Sequence, residues 1–317
     1  MSQKEQKAVY GGQAVIEGVM FAGRHVNVTA VRRKNNEITF YEVPRQEKAW
    51  LTALKKIPFI RGIVGIVEAS AKGSQHLNYS FEKFAEDEEE DAAPAAPEKK
   101  KNSTWDLTMV LGVAVVGILS FIFSKVIFTA VPVIIEEFLF GEAFENQVIH
   151  TMIEGVIKIV FLLGYLWLIS QTPTIKRLFQ YHGAEHKVIT AYEHGEELTV
   201  ANVQKYNTLH YRCGSSFMVF SVIVGVIIYS FVPYDNMWDR VLSRIVLIPV
   251  VLGVSYETLR VTNAVREFAV LRYLGYPGLW LQKLTTKEPT DDQVEVSIAS
   301  FNRMRELDQE IATAKAS

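Results

Sequence analysis

The sequence predicts an α+β membrane protein with four transmembrane helices, a cytoplasmic amino-terminal α+β domain, a central cytoplasmic loop and a cytoplasmic carboxyl-terminal helix. Three observations lead there. Of 317 residues 49% are apolar, and in mid-chain they form runs long enough to cross a bilayer. Basic residues gather on one side of those runs. Outside them, alternation with period two near the start and spacing of three and four near the end mark a small sheet and an amphipathic helix. Composition also excludes several classes. The chain is too apolar for wholesale disorder, and a net charge of -2 is a poor basis for binding nucleic acid. Its one cysteine, Cys213, cannot form an internal disulfide and suits a reducing compartment or a metal.

Residues 1–84 are expected to form the amino-terminal region, whose polar start shows no cleavable signal sequence. Val26, Val28 and Ala30 alternate, Lys34-Asn35-Asn36 reads as a turn, and Ile38 and Phe40 follow, which predicts a β-hairpin with one buried face ended by Pro44. Trp50, Leu51, Leu54, Ile57 and Ile60 recur at helical intervals. The short apolar stretch from Ile60 to Val67, flanked by Arg61 and Lys72, is suited to lie along the inner membrane surface. Residues 85–104 read as a solvated linker, because six consecutive acids from Glu86 to Asp91 precede Ala-Pro repeats and Lys99 to Lys101.

The first membrane hairpin, residues 105–170, contains the runs Val110 to Val133, which as a helix rises roughly 36 Å, and Ile153 to Ile169. The second, residues 216–256, contains Ser216 to Val232 and the weaker Val241 to Tyr256, interrupted by Arg244. Glu136, Glu137, Glu142 and Glu145 lie between the first two runs with no Lys or Arg, whereas Lys176, Arg177, Arg260, Arg266 and Arg272 lie on the other side. Both termini and the loop at 171–215 are therefore assigned to the cytoplasm. Trp105, Trp167 and Tyr256 would mark the inner headgroup belt, and Tyr234 and Trp238 the outer. Lys125 and Lys158 are read as snorkelling to water from near the outer ends of their spans. The tail, residues 257–317, carries a capping box at Thr290-Asp291-Asp292-Gln293 and an apolar stripe through Val294, Ile298, Phe301, Met304 and Leu307.

The chemistry concentrates in the loop. In a helix His182 and His186 share one face and can reach one cation, with Glu185 beside them as general base, the order of a His-x-x-Glu-His peptidase. Gly183 argues for a turn instead, since glycine costs about 1 kcal/mol in a helix interior. Two histidines do not complete a zinc site, and His210 and Cys213 supply further donors within 32 residues. The metal ligands are assigned as His182, His186, His210 and Cys213, with a hydrogen-bonded polar cluster or unrelated surface histidines as the alternatives. His194 is read as solvated. The Gly11-Gly12 segment lacks the spacing of a dinucleotide fingerprint. Glu17, among apolar neighbours, would need Arg24 or a metal unless it is an exposed strand edge. Arg61 reads as snorkelling rather than as a lipid-phosphate ligand.

The stretches Gly11 to Met20, Tyr181 to Lys187, His210 to Gly214 and Leu284 to Gln293 resemble the YqhQ-like family of bacterial membrane proteins, nearly end to end. That resemblance implies location in the bacterial cytoplasmic membrane and carries the family's label of predicted metal-dependent enzymes. Tyr211 stands where relatives are expected to have proline. Two functions follow. One is a membrane-bound, metal-dependent hydrolase at the cytoplasmic face, with a divalent cation, zinc by ligand type, and Glu185 as base. The other is a non-catalytic scaffold whose His/His/His/Cys site is closed. Membrane lipids are the expected partners and nucleic acid is not; protein partners and homo-oligomerisation are left open. A transporter would need ionisable groups facing a pore at mid-membrane, and the sequence offers few.

Overall fold

The computed structural model describes residues 10–45, 48–92 and 127–316, which fall into two compact units. The first unit comprises Met1–Asp91, Leu163–Phe220 and Gly253–Ser317. Its sheet is a meander of four antiparallel strands: β1 (Gly11–Val15), β2 (Gly18–Ala22), β3 (Val26–Arg32) and β4 (Ile38–Pro44). The β3–β4 hairpin pairs Thr29 with Tyr41, and Asn36 in its turn has φ 67°. The glycine-rich start of the chain forms a second hairpin. Ile16 and Glu17 make the tight turn, with Glu17 in the left-handed region at φ 53°.

The sheet is covered on both faces, so the expectation of one buried face understates it. Val19, Phe21, Val28 and Ala30 face helices α5 (Pro173–His194) and α11 (Asp291–Ala316), packing on Tyr181, Val188, Phe301 and Met304. Val15, Met20 and Val31 face α2 (Ile60–Ala92) and pack with Tyr79. At roughly 25 cal/mol per Å² of apolar surface, such burial on both faces is the main force holding the unit. The helix α11 starts where the capping box places it, with the Thr290 N–H donating to Gln293 Oε1 at 2.9 Å. Its expected stripe is its buried side, so this helix is a core element of the sheet rather than a tail.

Two readings of the amino-terminal region need correction. Only Ala49–Leu54 forms the short helix α1, while the segment from Ile60 begins the 33-residue helix α2. The acidic run continues that helix instead of opening the linker. Asp87 in it accepts from Arg33 Nε at 2.7 Å and from the Lys34 N–H at 3.1 Å, which ties the helix to the β3–β4 turn.

The second unit comprises Ala92–Leu162 and Ser221–Leu252. Most of the run from Val110, with Lys125 and Trp105, lies outside the described residues; helix α3 is seen over 127–140. Helix α4 (Gln147–Ile169) is long and apolar enough to cross a membrane. Helix α7 (Ser216–Tyr229) is apolar but shorter, and α8 (Met237–Val246) meets α9 (Ile248–Ala264) at a bend of 53°. One clear span candidate among the described residues, or two with the bent pair, is coarser than the four predicted.

Lys158 does not snorkel. Its side chain is 16% exposed, lies 3.6 Å from Glu154 and sits over the Tyr229 ring. Arg240 and Arg244 are fully buried. Arg240 bridges Glu136 at 2.6 Å and Glu154 at 2.9 Å, while His150 Nδ1 meets Glu136 at 2.6 Å. Arg244, the interruption in the fourth apolar run, lies 3.5 Å from the same Glu154 and so belongs to this buried ion network. Two further short helices of the first unit, α6 (Val200–Gln204) and α10 (Tyr276–Thr285), lie beside α5 and the turn at His210.

Candidate metal centre

The Tyr181–Lys187 stretch is helical, in the middle of α5, despite Gly183. The glycine is there for space. A Cβ at Gly183 would lie 2.1 Å from the carbonyl oxygen of Lys287, because the extended chain after α10 runs against this helix. The Lys287 N–H donates to the Phe179 carbonyl at 2.9 Å, which holds that crossing in place. Close approach in turn brings the Thr285 carbonyl to His182.

Both histidines of α5 are oriented by backbone. His182 Nδ1 lies 2.8 Å from the Thr285 carbonyl oxygen, and His186 Nδ1 lies 2.5 Å from that of Thr208. A carbonyl can only accept, so each Nδ1 carries the proton and each Nε2 presents a lone pair. Those lone pairs converge on Cys213. His182 Nε2 is 3.1 Å from its Sγ, and the donor atoms of His182, His186 and Cys213 all lie within 4.8 Å of one another. The sulfur also receives the Ser215 N–H at 3.4 Å and contacts Ser215 Oγ at 3.1 Å. Three electron-rich atoms thus point at one volume, with at most a single thiol proton among them. A divalent cation fits that donor set, as histidine nitrogen and cysteine sulfur are its usual ligands and backbone-bonded histidines its usual supporting shell.

The turn bearing Cys213 is held by a buried amide. Gln282 of α10 accepts from the His210 N–H at 2.8 Å and donates to the His210 carbonyl at 2.8 Å and to Ser216 Oγ at 2.9 Å. His210 itself stands apart from the trio. Its ring centroid is 5.5 Å from that of His186, but its Nε2 lies 3.9 Å from Glu193 Oε2. Burial works to raise the Glu193 carboxyl, yet the Arg212 guanidinium bonded to it, with the His210 ring nearby, holds it down to about 2.

Glu185 faces β1. The Gly12 N–H bonds its carboxylate, and a Cβ at Gly12 would come within 3.1 Å of the Glu185 side chain, so a glycine is needed there too. Burial is the dominant influence and raises the Glu185 carboxyl to about 7, against the opposing pull of His182. Burial lowers the His186 imidazole, and Cys213 opposes that. A cavity of about 340 Å³ opens on His182, Glu185, His186 and Cys213, with Gly11 to Ala14 forming part of its wall.

Of the sequence-predicted residues the structure therefore gathers His182, His186 and Cys213, sets Glu185 on the same cavity, and leaves His210 at its edge toward Glu193. His194 is exposed, on the Thr190 carbonyl. Glu17 is neither bare nor paired with Arg24. Arg177 grips it with two guanidinium nitrogens, and the Tyr181 hydroxyl donates to it at 3.3 Å. Arg61 is engaged in the same bidentate way by Glu257. Gln282, Ser215 and the carbonyls of Thr208 and Thr285 were not anticipated, since backbone acceptors leave no mark in a sequence.

Residues 57–307 match the family described as a protein of unknown function, DUF1385. The chain is also similar to the uncharacterized protein YqhQ of Bacillus subtilis (strain 168), with 53% identity over 308 residues, covering 97% of this chain and 96% of that protein. No solved structure matches it. A match across most of the length, motifs of the metal-centre candidate included, makes this chain a member of the DUF1385 family.

Proposed function

We propose that the protein is a membrane-bound, metal-dependent hydrolase working at the cytoplasmic face of the bacterial membrane, with His182, His186 and Cys213 as the protein ligands of a divalent cation, zinc by ligand type. The observation that carries this reading is the pair of Nδ1-to-carbonyl hydrogen bonds, which turn two Nε2 lone pairs toward one thiol. A cation bound there would supply Lewis acidity to a substrate oxygen. Three protein ligands leave one position free in a tetrahedral site, the pattern of catalytic rather than structural zinc.

Glu185 supplies the proton chemistry in this reading. It lines the same cavity, and its carboxyl, raised to about 7, is suited to take a proton from an attacking water and return it to a leaving group near neutral pH. The Gly12 N–H holds the carboxylate in place meanwhile. Membrane lipid headgroups, membrane-anchored peptides and small metabolites are the substrate classes that such a site beside a membrane would meet. In the membrane part of the proposal, four spans with both termini inside rest on the basic-residue asymmetry, with α4 as the best supported span.

A second reading is favoured by the short ring-to-ring distance between His186 and His210. If His210 turned into the trio, the site would have four protein ligands and a scaffold role. The test is metal content of the detergent-purified protein in the wild type and in His182→Ala, His186→Ala and Cys213→Ala. Each substitution is expected to abolish stoichiometric metal, whereas Glu185→Gln is expected to keep the metal and lose the complementing activity of the intact protein in cells. Unchanged metal in all three ligand variants would end the proposal, and full complementation by Glu185→Gln would leave only the scaffold.

A further inference from the structure

Strand β1 lines a second cavity besides the histidine site. Gly12 faces Glu185, and the next residue, Gln13, points the other way toward Gly73 of α2. There, still within the first unit, a cavity of about 620 Å³ is lined by Arg45, Lys55, Arg61, Lys72 and Arg260 with Asn27 of β3. Its volume is that of a small-molecule site.

The charge around this cavity is not balanced. Glu68 is the one carboxylate among its described lining residues, and it is shared between Lys55 and Lys72. Glu257 answers Arg61 and, at 3.9 Å, Arg260. Arg45 donates to the Gly23 carbonyl, which satisfies a hydrogen bond without cancelling a charge. Among the described residues, five cationic side chains therefore meet two carboxylates. Like charges gathered around a cavity repel, and an anion between them relieves that cost. A phosphoryl group suits the surplus best, because several acceptor oxygens and up to two charges can engage arginine and lysine donors from different walls at once.

Asn27 adds a second requirement. It is 3% exposed, and its Oδ1 is buried without a hydrogen-bond partner, which costs free energy until a donor arrives. A phosphate diester at neutral pH has no proton to give, so the donor comes from elsewhere on the ligand, and a hydroxyl suits best because it donates without adding a positive charge to a cavity already rich in cations. We propose that the cavity between β1, β3 and α2 is a binding site for a phosphate ester bearing a free hydroxyl, of the glycerol phosphate type, whether as a soluble molecule or as the headgroup of an anionic phospholipid. This site stands independently of the metal.

The experiment titrates the full chain, purified in detergent, with inorganic phosphate, with glycerol phosphate and with mixed micelles containing either phosphatidylglycerol or phosphatidylcholine, reading heat and native mass. Saturable binding of glycerol phosphate or phosphatidylglycerol, weakened by salt, is expected, with inorganic phosphate and phosphatidylcholine weaker by about tenfold or more. Binding of glycerol phosphate identifies a soluble ligand, and binding of phosphatidylglycerol alone identifies the lipid. Arg260→Gln, at a half-exposed position, should weaken binding about tenfold without harming the fold. Asn27→Ala should erase the preference for glycerol phosphate over inorganic phosphate; should it fail to fold by circular dichroism, Arg260→Gln decides. His182→Ala should bind as the wild type does, which separates this site from the metal reading. No binding of either ester by the wild type, or undiminished binding by Arg260→Gln, overturns the proposal.

Discussion

His182 Nε2 lies 3.1 Å from Cys213 Sγ, although 31 residues of chain separate them. The contact exists because α5, the turn at 210–216 and the end of α10 meet, with Gln282 clamping the turn and Thr285 orienting the imidazole. His210 belongs to the same turn but is held by its backbone, and its side chain is left beside Glu193. That difference makes the first prediction. His210→Ala should keep the metal stoichiometry of the wild type, whereas Cys213→Ala should lose it. Elemental analysis after desalting checks both, and loss of metal from His210→Ala would establish a closed, four-ligand site.

Gly183→Ala should destabilise the protein, opposite to the usual effect of this change in a helix. Elsewhere alanine gains about 1 kcal/mol over glycine through propensity. Here its Cβ would be 2.1 Å from the Lys287 carbonyl and 3.1 Å from Thr208 Cγ2, so either α5 or the segment after α10 must move. Overpacking of this kind costs about 1–3 kcal/mol. Displacing that segment also pulls the Thr285 carbonyl from His182, so metal retention should fall along with the melting temperature. A variant that melts higher than the wild type and keeps its metal would contradict this account.

How much of this was legible beforehand depended on distance along the chain. The His182/His186 spacing, the capping box at Thr290 and the stripe on α11 are local patterns, and each reappears as geometry. Gly183 was visible but ambiguous, because propensity cannot tell a helix breaker from a residue chosen for a close crossing. Glu17 was recognisable as a carboxylate in need of a partner, yet its partner Arg177 is 160 residues away. The ion network of the second unit was missed for the same reason, as Glu154 and Glu136 stand 86 and 104 residues from Arg240. An acidic run looks like a linker until one of its members meets an arginine across the fold, as Asp87 does.

His76 gives a pH prediction. It is fully buried under β3, its Nδ1 lies 2.6 Å from Thr29 Oγ1, its ring is edge-on to Tyr41, and burial lowers its imidazole from 6.5 to about 4. The native state therefore favours neutral imidazole. Above about 6.5 both folded and unfolded chains hold it neutral, and its contribution is fully present. As pH falls from 6.5 toward 4, the unfolded chain takes up a proton that the folded chain refuses, and stability drops by at most about 3 kcal/mol. Melting temperature measured between pH 7 and 5, a window above most carboxylate titrations, should fall in the wild type and fall less in His76→Gln. Parallel curves for the two would rule out this source of acid sensitivity.

The last prediction concerns Glu154, the carboxylate on which three cations of the second unit depend. Arg240 reaches it at 2.9 Å, Arg244 donates to it from Nη2 at 3.5 Å, and Lys158 lies 3.6 Å away. Arg240 has a second acid in Glu136, but Glu154 is the only carboxylate within 4 Å of Arg244 and Lys158 among the described residues. Breaking a buried pair by removing one partner costs about 3–5 kcal/mol, because the remaining charge has no water to turn to. Glu154→Gln should therefore lower thermal stability in detergent strongly. The double variant Glu154→Gln/Arg244→Met removes one of the stranded charges together with the acid, so it should regain part of that loss. Recovery in the double variant would mark the network as an electrostatic balance, whereas additive losses from the two changes would mark Arg244 as held by its stacking on Tyr229 and Tyr234 instead.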